Sequence, residues 1–391
     1  MMKNKSIRVK TIYQKIMIYY FALLILGNVF QYEPPYYILL IISIFVVFLS
    51  KRKIDTGFIK QYMFIILLAL YGIIIALVTG GGIGGPLTII TGLMVCYAAQ
   101  DMKFDKKDIN LLVFAMCISI LYWLYRSPTY YSEFFYNHWK GDATYTNSNG
   151  VGHYLAYECA FMFMILSLSG KKWVRHSKWI LAIACVWGCY NVRARMAFFT
   201  LIVFLLMDFI IEKFSKRRNG LVKGFLIGSI VLEIVFPFVY LWMYISGIGN
   251  KIIMFGLTEK GLYSGREGIW LNAFNAMKNL PAVLFGIGSK HDFWEGNVLN
   301  MHNNAMNLLV VIGLLGLVLY FGYLIKYILK SFDFSKATKF QWQCLIFFIC
   351  IIFEGATDIT LFYNPFLAYY FIPLGIALSR NYTSLKGNDE K

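Results

Sequence analysis

The chain is a succession of apolar stretches separated by short polar segments. Twelve of these stretches predict membrane helices: 14–30, 36–50, 61–79, 86–99, 109–125, 150–169, 177–191, 196–211, 224–245, 304–329, 340–356 and 362–379. The second, fourth and seventh are short for a full crossing, which takes about 20 residues. One polar interval stands apart. Residues 246–303 are too many for a simple connector. Within them Ser264 and Glu267 form an S-x-x-E capping-box pattern. Ile269, Trp270, Ala273, Phe274, Met277 and Leu280 then recur at helical spacing. The pattern predicts a short amphipathic helix that starts at Ser264 and is broken by Pro281, before a Gly286-Ile287-Gly288 turn. The expected fold is an all-α polytopic membrane protein of about twelve transmembrane helices. It divides into 1–245 with nine spans, 246–303 as a large outer loop, and 304–391 with three spans and a tail.

Composition removes the competing class. The 391 residues are 59% hydrophobic and 15% charged, with a mean hydropathy of +0.61. A soluble globular domain would lack the polar surface to cover such a chain. The net charge of +17 would ordinarily raise nucleic acid as a partner. Its distribution argues for topology instead. With the N-terminus in the cytoplasm and the spans alternating, 28 of the 37 basic residues fall on the cytoplasmic side. Both termini are then cytoplasmic. Basic residues precede the first apolar run as in a signal peptide, but no small-x-small cleavage site follows, so this is expected to be an uncleaved span. The seven cysteines lie in apolar stretches without C-x-x-C spacing and read as small buried hydrophobes.

The nine basic residues left outside carry the interest: Arg126, Lys140, Arg193, Arg195, Lys251, Lys260, Arg266, Lys278 and Lys290. Arg193 and Arg195 occupy a very short outer turn, so either an anionic ligand or a buried carboxylate should compensate them. Arg266 falls in the first turn of the amphipathic helix, where free backbone N–H groups favour an anion. Its planar guanidinium can also hold a phosphate with two hydrogen bonds. His302, before the tenth span, titrates near neutrality when unperturbed and is the candidate base. Asn149 opens the sixth span, either as its cap or as a ligand group, and His153 follows one turn later. The aromatic loop 126–149 suits sugar stacking or an interfacial belt. Glu158 and Glu233 lie near mid-membrane, where ionisable groups are costly. Nucleotide-binding, zinc-peptidase and serine-hydrolase motifs are absent, as is an Asp-x-Asp metal pair.

These residues carry a resemblance. His302-Asn303-x-x-x-x-Leu308 with Gly313-x-x-Gly316, after Gly286-x-Gly288, resembles the signature of the bacterial O-antigen ligase and polymerase superfamily. Ser264-Gly265-Arg266 with Ile269-Trp270 is similar to the motif that opens that family's large periplasmic loop, and Ala194-Arg195-Met196-Ala197 to its arginine motif. Ala194 stands where a Ser often precedes the arginine, and Arg193 has no clear counterpart. The resemblance implies a metal-independent glycosyltransferase of the bacterial cytoplasmic membrane, without cofactor. It would transfer glycan by direct displacement from a polyprenyl-pyrophosphate carrier on the outer face. His302, Arg266 and Arg195 would be catalytic. Arg193, Asn303, His153 and Asn149 would bind pyrophosphate or glycan. Expected partners are the lipid-linked oligosaccharide, the glycan acceptor, membrane lipids, a flippase and a chain-length regulator. A polymerase of repeat units for O-antigen or capsule is the leading expectation. A ligase onto lipid A–core is the alternative within the superfamily. A lipid-linked glycan flippase is the alternative of another class, kept alive by Glu158 and Glu233.

Overall fold

A computed structural model describes residues 2–30, 36–50, 56–80, 83–100, 102, 105–127, 135–137, 142–144, 148–248, 263, 265–289, 301–362 and 366–379. Among these are fourteen α-helices and one small hairpin. The first nine helices are α1 Met2–Val29, α2 Tyr36–Ser50, α3 Thr56–Val78, α4 Gly84–Gln100, α5 Lys106–Arg126, α6 Ser148–Ser167, α7 Lys172–Asn191, α8 Arg195–Lys213 and α9 Arg218–Ile245. Two short helices follow, α10 Arg266–Ala276 and α11 Leu280–Phe285. The last three are α12 Asn304–Ser331, α13 Lys339–Glu354 and α14 Leu367–Ala377. Each of the twelve apolar stretches lies on a helix of its own.

Among the described residues three helices, α5, α9 and α12, are long and apolar enough to cross a membrane. Several of the others are short or carry charge. Helices α2, α13 and α14 have 15, 16 and 11 residues, at a rise of about 1.5 Å each. Helix α7 carries Lys172, Arg175 and Lys178 in its first two turns. The periphery is nonetheless apolar. Ile180, Ile183 and Trp187 on α7 face outward and are exposed, as are Val231, Phe238 and Trp242 on α9. Such a surface suits lipid and not water.

The amphipathic segment departs from expectation. Helix α10 begins at Arg266, with Gly265 as its N-cap at φ 89°. Ser264 lies outside the described residues. The Glu267 carboxylate accepts the Gly265 backbone N–H at 3.1 Å. Helix α10 also ends at Ala276, and Pro281 does not simply break it. A second helix, α11, starts there, because proline is tolerated in a first turn where its missing N–H would be unpaired anyway. The Asn279 side chain caps it, accepting the Ala282 N–H at 2.8 Å. The loop before α6 is also not wholly irregular. Phe135–Asn137 (β1) pairs antiparallel with Asp142–Thr144 (β2), Tyr136 opposite Ala143. Tyr130, Tyr131, Phe134 and Trp139 of that loop lie outside the described residues.

Among the described residues the interhelical ion pairs separate into two ends. At one, Lys15 pairs with Asp105 at 2.7 Å and with Asp108, and Lys339 pairs with Glu212 at 2.8 Å. These are segments expected on the cytoplasmic side. At the other end gather His153, Arg195, Arg266, His302 and Asp358, from segments expected outside.

Helix α12 is interrupted at Gly313, which adopts φ 70°, ψ −179°. The break leaves carbonyls without helical partners, and neighbours fill them. The Tyr71 hydroxyl donates to the Ile312 carbonyl at 2.8 Å, and the Ile287 N–H to the Val310 carbonyl at 2.8 Å. Gly286, at φ 84°, packs backbone to backbone against Gly313. The Gly286 turn and the Gly313 motif therefore form one crossing. A Cβ on Gly313 would lie 2.3 Å from the Leu284 carbonyl oxygen. Gly313→Ala is expected to destabilise the purified protein by more than about 2 kcal/mol, from the left-handed backbone and the overlap together. Gly322→Ala, where a Cβ meets nothing within 4 Å, should be neutral. Thermal unfolding in detergent compares the two.

Candidate active site

The site is assembled at helix ends, and two of its residues sit on backbone that disfavours them. Helix α7 closes with a Schellman turn: the Arg193 N–H bonds the Tyr190 carbonyl at 3.0 Å, and the Ala194 N–H bonds the Cys189 carbonyl at 3.1 Å. The motif wants a left-handed residue after the C-cap, usually glycine. Arg193 holds that position at φ 56°. Helix α9 closes with the same two bonds, and there Gly247 takes the position at φ 69°. An arginine there costs more than glycine would. His302, at φ 45°, is the other non-glycine residue with positive φ among the described residues.

A cavity of about 230 Å³ opens beside these turns. Asn149 and His153 line it from α6, Arg193 from the turn after α7, and Arg195 from the first position of α8. Arg266 reaches it from the first position of α10, and Thr357 and Asp358 from the turn after α13. Met196, Phe199, Phe236 and Tyr240 make the apolar side. Arg195 and Arg266, 71 positions apart in sequence, thus face one space, close enough that their charges repel. Such a space favours an anion, and guanidiniums match phosphate oxygens best.

The acidic counterpart was not foreseen. Asp358 Oδ1 lies 3.5 Å from His302 Nδ1, and its Oδ2 lies 3.7 Å from His153 Nε2. Burial disfavours its ionised form. The imidazoles of His302, 3.5 Å away, and His153, with the Arg266 guanidinium, outweigh this and hold the carboxyl well below the usual carboxylate range. Asp358 is thus ionised at neutral pH. It lies between the two histidines, closer to His302 than to the cavity-lining His153. The signal available in sequence was an acidic residue just past the apolar run 340–356, read there as a span boundary.

Asn303 takes a structural task in place of a ligand-binding one. It is fully buried and caps α12, its Oδ1 accepting the Met306 N–H at 2.7 Å. Its Nδ2 donates to the carbonyls of Glu233 and Ala356, both at 2.9 Å. The first acceptor exists because Pro237, four residues on, has no N–H to offer Glu233. Glu233 itself meets Asn304 at 2.7 Å. Glu158 accepts from Ser119 at 2.9 Å and Tyr369 at 2.8 Å. Neither glutamate lines the cavity.

Trp270 ties the two halves of the site. It is fully buried, and its indole N–H donates to the Met301 carbonyl at 2.6 Å, one residue before His302. Its ring packs edge-on to Tyr240, 5.1 Å between centroids. The Tyr240 hydroxyl donates to Glu267 at 3.3 Å. Helix α10 is therefore fastened to α9 and to the segment that carries His302.

No protein-family model matches this chain, and no curated protein matches it. The site's chemistry stands on its own geometry.

Two stability comparisons follow. Arg193→Gly should be more stable than Arg193→Ala by about 1 kcal/mol, because only glycine relaxes the left-handed turn. Trp270→Phe should lower stability by about 1 kcal/mol through the lost hydrogen bond to Met301. Unfolding midpoints of the purified variants test both.

Proposed function

We propose that this protein is a membrane glycosyltransferase that joins polyprenyl-pyrophosphate-linked oligosaccharide repeat units into a surface polysaccharide. The observation that carries the reading is the convergence of Arg193, Arg195 and Arg266 on one cavity, with the His302–Asp358 pair beside it. In this reading all twelve apolar helices span the bacterial cytoplasmic membrane, both termini are cytoplasmic, and the cavity faces outward. The shorter helices reach across with help from their polar flanks.

The chemistry is a direct displacement. The acceptor sugar hydroxyl attacks the anomeric carbon of the donor glycan. A new C–O bond forms as the bond to the phosphate oxygen breaks. The hydroxyl proton passes to His302, whose cation Asp358 stabilises. The lipid pyrophosphate leaves with the bonding electrons, and the arginines neutralise its charge as it develops. The aromatic wall of Phe199, Phe236 and Tyr240 offers faces for sugar or prenyl carbons.

Arg195→Ala, Arg266→Ala and His302→Ala should each reduce polymer at the cell surface by about 100-fold or more while the protein still inserts. The surface glycan on a gel checks this. Normal polymer from all three variants would sink the assignment. The deletion strain separates the two transferases: a single repeat unit on the acceptor fits a polymerase, and full-length polymer left on its carrier fits a ligase.

A further inference from the structure

Behind the cavity wall lies a second buried acid–base pair. Glu354, the last residue of α13, is fully buried. Its Oε1 lies 2.9 Å from His153 Nε2, and its Oε2 accepts the Tyr157 hydroxyl at 2.9 Å. The His153 and Tyr157 rings stack one turn apart on α6, 5.5 Å between centroids and 3° from parallel. Phe366 closes over the imidazole edge-on at 5.4 Å. The imidazole is thus fixed by ring contacts on two sides and by a carboxylate.

We infer that Glu354 is a positioning residue that holds His153 as an imidazolium, making His153 a fourth cation of the anion site. The inference deepens the proposed function and rests on it for the identity of the anion. The charge balance supports it. Glu354 and His153 are both buried and in contact, and each is the ionic partner that makes the other's charge tolerable, since an unpaired buried charge is far more costly than a paired one. Lysine does not line the cavity, whose permanent cations are Arg193, Arg195 and Arg266. The nearest cationic partner for Glu354 is His153. Burial works against the imidazolium; two carboxylates, Glu354 at 2.9 Å and Asp358 at 3.7 Å, favour it from α13 and the turn after it, and Arg266 opposes them from α10. Arg193 and Arg195 from the α7–α8 turn line the same cavity, and His302 acts through Asp358. Tyr157 is the titratable neighbour on the imidazole's own helix. A site with one titrating cation among three permanent ones should bind its anion more tightly as the pH falls.

The test uses inorganic pyrophosphate as the probe, titrated into the purified full-length protein in detergent from about pH 5.5 to about pH 9, on both sides of the ordinary histidine pKa. Pyrophosphate itself gains charge as the pH rises, so each profile is read against His153→Gln: the wild type should bind about tenfold more tightly than that variant in acid, an advantage that disappears toward alkaline pH. Glu354→Gln, which keeps a hydrogen-bonding partner for Tyr157, should lose about tenfold at neutral pH and recover part of that in acid. The double variant should match His153→Gln. A wild-type profile in Glu354→Gln would overturn the role of Glu354. An unchanged pH dependence in His153→Gln would overturn the inference even if Glu354→Gln failed to fold. Absence of pyrophosphate binding by the wild type would overturn the anion site itself, and with it the proposed function. Wild-type binding with a pH profile parallel to that of His153→Gln would overturn the inference alone.

Discussion

The site depends on a buried knot of amide groups at the start of α12. Asn304 donates to Glu233 at 2.7 Å and to Thr360 at 2.9 Å, and its carbonyl oxygen accepts the Thr360 and Leu361 N–H groups. Its own N–H bonds the Gly355 carbonyl at 3.0 Å. Asn303 adds the carbonyls of Glu233 and Ala356. The turn 355–361, which carries Asp358, is thereby clamped to the residue that follows His302. In an apolar interior every such group must find a partner, so the arrangement has few alternatives. The distance from His302 to Asp358 follows from that clamp.

The same logic explains the irregular helices. Pro237 frees the Glu233 carbonyl, and Asn303 fills it. Gly313 breaks α12, and Tyr71 and Ile287 take the released carbonyls. Each interruption becomes a point where one helix is fastened to another. Away from these points the helices pack through apolar faces, which lipid or protein can cover equally well. The start of α12 and the turn after α13 are fastened together by these bonds. Arg193 and His302 both hold left-handed backbone.

Much of this was legible in the order of apolar and polar residues. Each apolar stretch proved to be a helix, since hydrophobic length is a local property. Arg193, Arg195, Arg266, His153 and Asn149 were nameable because basic and polar residues at outer turns break the charge pattern of the rest. Their convergence was a long-range fact, and so was the partner of each. Asp358 and Glu354 were overlooked at the end of an apolar run, where acids look like a simple boundary. Asn303 looked like a ligand group from its place beside His302, yet its amide is spent on backbone carbonyls that only the folded crossing of α9 and α12 brings near. The capping pattern at Ser264 was close to the helix start, but the left-handed Gly265 took the cap.

The central claim is that the arginine-lined cavity transfers glycan from a lipid pyrophosphate. Purified protein in detergent, given lipid-linked repeat units and no other protein, tests it most directly, because without compartments no transport step can stand in for chemistry. The account predicts that glycan chains lengthen on the carrier and that lipid pyrophosphate is released, with both lost in His302→Ala. Chains that never lengthen or transfer, from a protein that in liposomes carries the same lipid across the bilayer, would contradict it.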